Sequence, residues 1–450
     1  MFLSQFFTRA TVPLEHLAKS VPGKMPLLSG LILIAALTIT SIVIPNRDDG
    51  IFVSHIPDRK SVDVAVMFPY PSGQGPLAHY TEHLAWLNTV GGAARTADRH
   101  ANAWTNTYAV GYWLSGRPDD LPDLLQTLAG VFDPIELPSS FAAEERNIIL
   151  REYDYRMAGN TDAHAAEAMD AFLYQGHGLA ASIIGTPEQI MAMDYDAARD
   201  FHAQTHRPDL ATVVVTGDIT DRQVRRTMRE AGWPDVQVDR TLIAPPSFNL
   251  AEVAQTTFRY PHETAAPRLI WRRVVALPEP VQYDLLEAQT ALLRDILDTN
   301  LPGGLVGPLR SDGAMARSFD VHIWPIDERH IEISFRAAPD RGVTLMGLRT
   351  ALDTTLSDIV LTGIPEDTYI RVLNRFDGFW PDWDDRRGTA DWMASYVRDR
   401  VSTLREPLSE RALKRLNGNL SLATTNALLH QLAGPGRTAS AFIGTKESFE

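Results

Sequence analysis

Two kinds of apolar spacing alternate along the chain. Val62, Val64, Val66 and Phe68 recur at every second position, the period of a strand with one buried face. Ile51-Phe52-Val53 and Ala211-Thr212-Val213-Val214-Val215-Thr216-Gly217 read as further strands, the second closed by glycine. Between them the spacing predicts helices at about 77–90, 120–132, 139–157 and 162–175, with another opening near Asp221. Residues 234–256 lack a long period and contain Ala244-Pro245-Pro246-Ser247, which suggests a linker.

The second half repeats this plan. Strands are predicted at about 267–275, 316–324 and 329–337, and helices at 280–298, 341–361, 365–377 and 409–432. Thr438 to Ile443 forms a last strand, again followed by glycine. Leu137-Pro138 opens a helix in the first half as Ile364-Pro365 does in the second. The expected fold class is α+β, with two duplicated domains of sheet and packed helices at 47–235 and 257–450, joined by a linker at 236–256.

One stretch fits neither pattern. No charged residue lies between Lys24 and Arg47, and the apolar core from Leu27 to Ile44 is nearly continuous. About 20 helical residues cross a bilayer core of roughly 30 Å. The exit, Ser41-Ile42-Val43-Ile44-Pro45, lacks the small-residue spacing of a signal-peptidase site, so 25–46 reads as an uncleaved transmembrane anchor rather than a signal peptide. Arg9, Lys19 and Lys24 precede it, and Asp48 and Asp49 follow. The positive-inside rule then puts residues 1–24 in the cytoplasm and the body outside, which in a bacterium means an inner-membrane protein with a periplasmic body.

The chain has 450 residues, no cysteine, and 42 basic against 56 acidic residues, a formal charge of -14. Without cysteine there is no disulfide scaffold, thiolate zinc finger, iron–sulfur cluster or thiol nucleophile. The negative balance argues against general nucleic-acid binding, which needs a basic footprint.

The chemistry concentrates at His79-Tyr80-Thr81-Glu82-His83, an H-x-x-E-H pattern. On a helix His79 and His83 stand about 40° apart and Glu82 about 60° to the other side of His79, so all three project from one face. Two imidazoles at i and i+4 can bind one zinc ion, and the glutamate can reach a water molecule there. Nitrogen and oxygen ligands also admit manganese or cobalt. A third protein ligand is needed, and Glu145 and Glu152, two helical turns apart beside Ile148, Ile149 and Leu150, share a face.

These residues resemble the insulinase or pitrilysin-like zinc metallopeptidases, the inverzincins. His79-x-x-Glu82-His83 is similar to the family's zinc motif, and Glu145 with Glu152 to its downstream E-x6-E element. The resemblance implies one Zn2+ per chain held by His79, His83 and Glu152, with Glu82 as general base and Glu145 orienting a ligand. His100-Ala101-Asn102-Ala103-Trp104-Thr105 resembles the family's substrate strand, which implies peptide contacts at Asn102, Ala103 and Trp104. Family enzymes carry an R-x6-Y pair in the second domain. Here Arg310 matches the arginine, but Arg317 stands where the tyrosine is expected. Aligning the two halves places Val372 opposite Glu145 and Phe379 opposite Glu152, so the second domain has no ligand set.

The expectation is a membrane-anchored zinc endopeptidase acting on peptides or unfolded segments. It would work as a homodimer, or as a heterodimer with a related subunit, so that Arg310 acts in trans. The alternative is a non-catalytic subunit of the same fold that scaffolds a partner at the membrane. Trp380, Trp383 and Trp392 read either as an aromatic binding lip or as anchors of a packed loop and helix.

Overall fold

The computed structural model describes residues 49–90, 100–238, 248–376 and 380–450. The predicted anchor at 25–46, the Ala244-Pro245-Pro246-Ser247 part of the linker, and Phe379 lie outside the described residues. Among those described, no helix is long and apolar enough to cross a membrane.

The first half contains β1 (Ile51–His55), β2 (Val62–Pro69), α1 (Gly75–Val90), β3 (His100–Thr105), β4 (Ala109–Gly116), α2 (Leu121–Ala129), α3 (Ser139–Met157), α4 (Thr161–Leu173), α5 (Pro187–Met191), α6 (Tyr195–Thr205), β5 (Thr212–Gly217) and α7 (Asp221–Glu230). The second contains β6 (Ala254–Pro261), β7 (Arg268–Ala276), α8 (Tyr283–Leu297), β8 (Ala316–Pro325), β9 (His330–Pro339), α9 (Leu345–Thr362), α10 (Glu366–Leu373), α11 (Arg386–Ser402), α12 (Glu410–Asn417), α13 (Leu422–Leu432) and β10 (Gly436–Gly444).

The five strands of each half form one sheet. The order is β1-β5-β2-β4-β3 in the first and β6-β10-β7-β9-β8 in the second, the same path through the sheet. In each, the first and last strands pair in parallel and the remaining pairs are antiparallel. The period-two face of β2 is fully buried, and Val62, Val64, Val66 and Phe68 pack with Leu84, Val110, Tyr112 and Val213 in the first core. This burial is what the alternation demanded, because a slip of one residue would turn the whole apolar set outward.

The two halves interlock through helices. The α4 residues Ala165, Met169 and Leu173 cover Ile270, Val274 and Ala441 of the second sheet. Reciprocally, Met393, Val397 and Val401 of α11 cover Phe52, Met67 and Val214 of the first. Charged pairs cross both seams, with Arg59 of the first half meeting Asp391 of α11 at 3.1 Å. Arg272 of β7 meets Asp170 of α4 at 2.7 Å and Glu332 of β9 at 2.6 Å, and the Tyr174 hydroxyl donates to Glu332. Glu332 is wholly buried. Removing one partner of such a pair costs about 3–5 kcal/mol, because the other charge is left without compensation in low dielectric.

Several expectations shift. The single helix predicted at 409–432 is two. Gly418 caps α12, and Ser421 opens α13 with a capping box to Thr424. Apolar spacing continued through the break, but these caps offered the backbone better partners. The three tryptophans pack together with Trp104 against the outer face of the first sheet, so they anchor α11 rather than form a lip. Strand β6 begins at Ala254, within the stretch read as linker.

Candidate metal centre

Helix α1 carries the H-x-x-E-H residues across the inner face of the first sheet. Gly75 lets its first turn sit against the chain at Ile183, since a Cβ there would meet the Ile183 backbone at 3.0 Å. The Tyr80 hydroxyl donates to the Ala142 carbonyl at 2.9 Å, tying α1 to α3. Helix α3 spans Ser139–Met157, the predicted range, and its Glu145 and Glu152 both face α1.

His79 Nε2 and His83 Nε2 lie 3.6 and 3.7 Å from the same oxygen, Oε2 of Glu152. The candidate ligand atoms of the three residues fall within 4.8 Å of one another. Tetrahedral ligands about 2.0–2.2 Å from a zinc ion stand roughly 3.3–3.6 Å apart, so the donor set fits that ion in chemistry, the two histidine-to-Glu152 separations are close to that spacing, and the set would draw in slightly around the ion. It is the one such group of His, Asp or Glu among the described residues. His83 Nδ1 meets Glu145 Oε2 at 3.0 Å, the second hydrogen bond that fixes an imidazole ligand's orientation. His79 differs. Its Nδ1 is buried without a hydrogen-bond partner among the described residues, so no bond at that nitrogen fixes the ring.

Glu82 is buried beside the histidines, and the Thr105 hydroxyl of β3 donates to its Oε2 at 2.9 Å. Burial pushes the Glu82 carboxyl up to about 7, against the opposing pull of His83 and of Thr105. Burial lowers His79 to about 4, so it is neutral and ready to donate at pH 7. For His83 burial also acts downward, but hydrogen bonds to Glu145 and Glu152 and the charge of Glu82 outweigh it, raising the ring to about 9. The metal-free site therefore holds a proton on His83 at pH 7, and a metal must displace it. Zinc binding at pH 7 is expected to release about one proton or more, and affinity should weaken about tenfold per pH unit below 9. Calorimetry in buffers of different ionisation enthalpy checks this. Proton uptake, or none, would contradict it.

The site opens into a cavity of about 530 Å³ with apolar walls from Trp86, Leu87, Val90 and Ile148. Strand β3 lines one side with Asn102, Ala103, Trp104 and Thr105. Among the described residues it is the edge strand of its sheet, so its outer backbone groups can pair with an added strand. Its alternation turns Ala103 and Thr105 toward the core, whereas Trp104 lies over Gly111 on the opposite face. Any Cβ at Gly111 would meet the Trp104 ring at 2.3 Å.

Not every candidate is assembled here. Arg310 is exposed on a helical turn at Gly307–Ser311 whose Gly307 and Leu309 are buried, and Arg317 occupies an exposed bulge on β8. Neither lines the cavity. Val372 is buried on α10 with no ligand role. The structure adds two residues that spacing alone did not select. Thr105 is the hydroxyl partner of Glu82, and Arg156 forms an ion pair with Oε1 of Glu152. Arg156 was detectable as a basic residue four positions after a glutamate on a helix.

No family model matches the chain. It is 24% identical over 154 residues to a probable mitochondrial-processing peptidase subunit beta of Schizosaccharomyces pombe, covering 33% of this chain and 34% of that protein. It is 22% identical over 250 residues to an uncharacterized zinc protease, YmxG, of Bacillus subtilis, covering 54% and 58%. The chain thus spans less than two thirds of the length of either relative. Among solved structures, a protease from Helicobacter pylori superposes with a TM-score of 0.71 at 14% identity, covering 88% of this chain and 97% of that one. A peptidase M16 inactive domain from Pseudomonas fluorescens superposes at 0.67 with 14% identity, covering 89% and 96%. At these identities the structural likenesses establish the fold.

Proposed function

The chain belongs to the insulinase/pitrilysin-like zinc metallopeptidase family, and on that premise we propose that it is a zinc-dependent endopeptidase for peptides or unfolded segments. The observation that carries this is the convergence of His79, His83 and Glu152 beside a buried Glu82 whose carboxyl is raised by burial despite Thr105 and His83. A scaffold has no physical need for that set, and buried carboxylates are costly without a partner.

Zinc held by His79, His83 and Glu152 would supply Lewis acidity to a peptide carbonyl and to a water molecule. The protein's residues do the rest. Glu145 holds Nδ1 of His83 and so aims Nε2 inward. Glu82 accepts the water's proton and returns it to the leaving amine, and its raised pKa suits both transfers near neutral pH. Thr105 keeps one Glu82 oxygen engaged, which orients the other. The free edge of β3 takes the substrate as an added strand, which selects extended chains over folded ones.

Arg310 and Arg317 stand outside the cavity, which favours assembly with a second chain, a like or related subunit that brings its own arginine in trans. The same placement motivates the rival reading of a non-catalytic subunit. Metal analysis with a peptide-library digest separates the two. The purified chain is expected to hold about one zinc, and chelation should abolish cleavage. Less than roughly 0.2 zinc per chain would refute the enzyme.

The apolar run before Arg47 would anchor the body to a bacterial inner membrane, on the periplasmic side. A periplasm-dependent reporter fused after Asp49 should be active, and a silent reporter would reverse this topology.

A further inference from the structure

The two oxygens of Glu152 have different neighbours. Oε2 faces both imidazoles, at 3.6 Å from His79 Nε2 and 3.7 Å from His83 Nε2. Oε1 is taken by the guanidinium of Arg156, one turn further along α3. The Arg156 side chain is 56% exposed and lines the cavity. Exposed ion pairs of this kind contribute only about 0–1 kcal/mol to folding, so the stability of α3 gives little reason for the pair.

The division of oxygens matters to a metal. A carboxylate can bind through one oxygen or both, and a catalytic zinc site must keep a position open for water. An arginine on one oxygen offers a charge-assisted hydrogen bond in fixed geometry, which holds that oxygen away from the ion. We infer that Arg156 is a positioning residue that confines Glu152 to donation through Oε2 and so keeps the open coordination position free. This rests on the zinc reading above and adds to it a residue with no place in the H-x-x-E-H or E-x6-E pattern. Its effect runs through Glu152, not through contact with the reacting bond.

The test uses the full chain loaded with zinc alone. X-ray absorption should find two nitrogens and a single protein oxygen around the ion in the wild type. In Arg156→Gln it should find an additional, longer carboxylate oxygen, and kcat/KM should fall about 10–100-fold while the chain stays folded. Arg156→Lys, which keeps a cation within reach of Oε1, should restore the wild-type shell. An unchanged shell in Arg156→Gln overturns the inference while leaving the metal centre intact. A wild-type chain that takes up no zinc overturns the metal reading, and this inference with it.

Discussion

Glu82→Gln is expected to keep the metal and lose the reaction. The amide matches the carboxylate in size and can still accept from Thr105, so the cavity and the histidine pair should be undisturbed. What it cannot do is take a proton. General-base catalysis contributes about 10²- to 10⁴-fold, and kcat should fall by that amount with zinc content unchanged at about one per chain. The wild-type rate should also fall with acid. Glu82 is raised to about 7, and below that value the base is protonated and idle. The acidic limb should therefore disappear from whatever residual rate the variant retains. Cleavage by Glu82→Gln at the wild-type rate would show that the base had been wrongly assigned.

Glu152→Gln is expected to act in the opposite order, losing the metal first. Its Oε2 is the only carboxylate oxygen placed near Nε2 of both histidines among the described residues. A neutral amide there removes the anionic donor and leaves two imidazoles, too few for a closed set. Zinc should drop from about one to below roughly 0.2 per chain after dialysis. Stability should follow. A ligand at 1,000 times its dissociation constant adds about 4 kcal/mol to the folded state, so zinc should raise the wild-type melting temperature and leave that of Glu152→Gln unmoved. A variant that still holds stoichiometric zinc and melts with it would remove Glu152 from the ligand set.

The two substitutions separate because the residues reach the site by different routes. His79, Glu82 and His83 are neighbours on one helix face, and 3.6-residue periodicity was enough to bring them together on paper. Glu145 and Glu152 lie on a second helix far beyond His83 in the chain, and only packing could show that their face meets the first. The β2 and β5 strands were equally legible, since their apolar patterns match burial in the first core. The break at Gly418 was not. There, local hydrogen bonds to Ser421 and Thr424 prevailed over a helical apolar spacing that ran on unbroken.

The tryptophans mark another limit. Periodicity says that a side chain is apolar, not which sheet it will meet, and α11 turned out to cover the sheet of the other half. The same holds for Arg272 and Glu332, whose pairing joins distant segments. Arg310 matched a family pattern in sequence, yet its side chain is exposed and does not line the cavity.

By itself the sequence determined the α+β class, the twofold repetition, the single helix that carries two imidazoles and a carboxylate, and the exclusion of thiol chemistry. Those follow from local spacing and composition, which act over a few residues. The tertiary structure alone decided which glutamate oxygen faces the histidines, that Thr105 engages Glu82, that Arg156 holds the remaining oxygen, and that each half is covered by a helix of the other. These depend on where distant segments meet, and that is settled by the burial of whole faces rather than by any pattern along the chain.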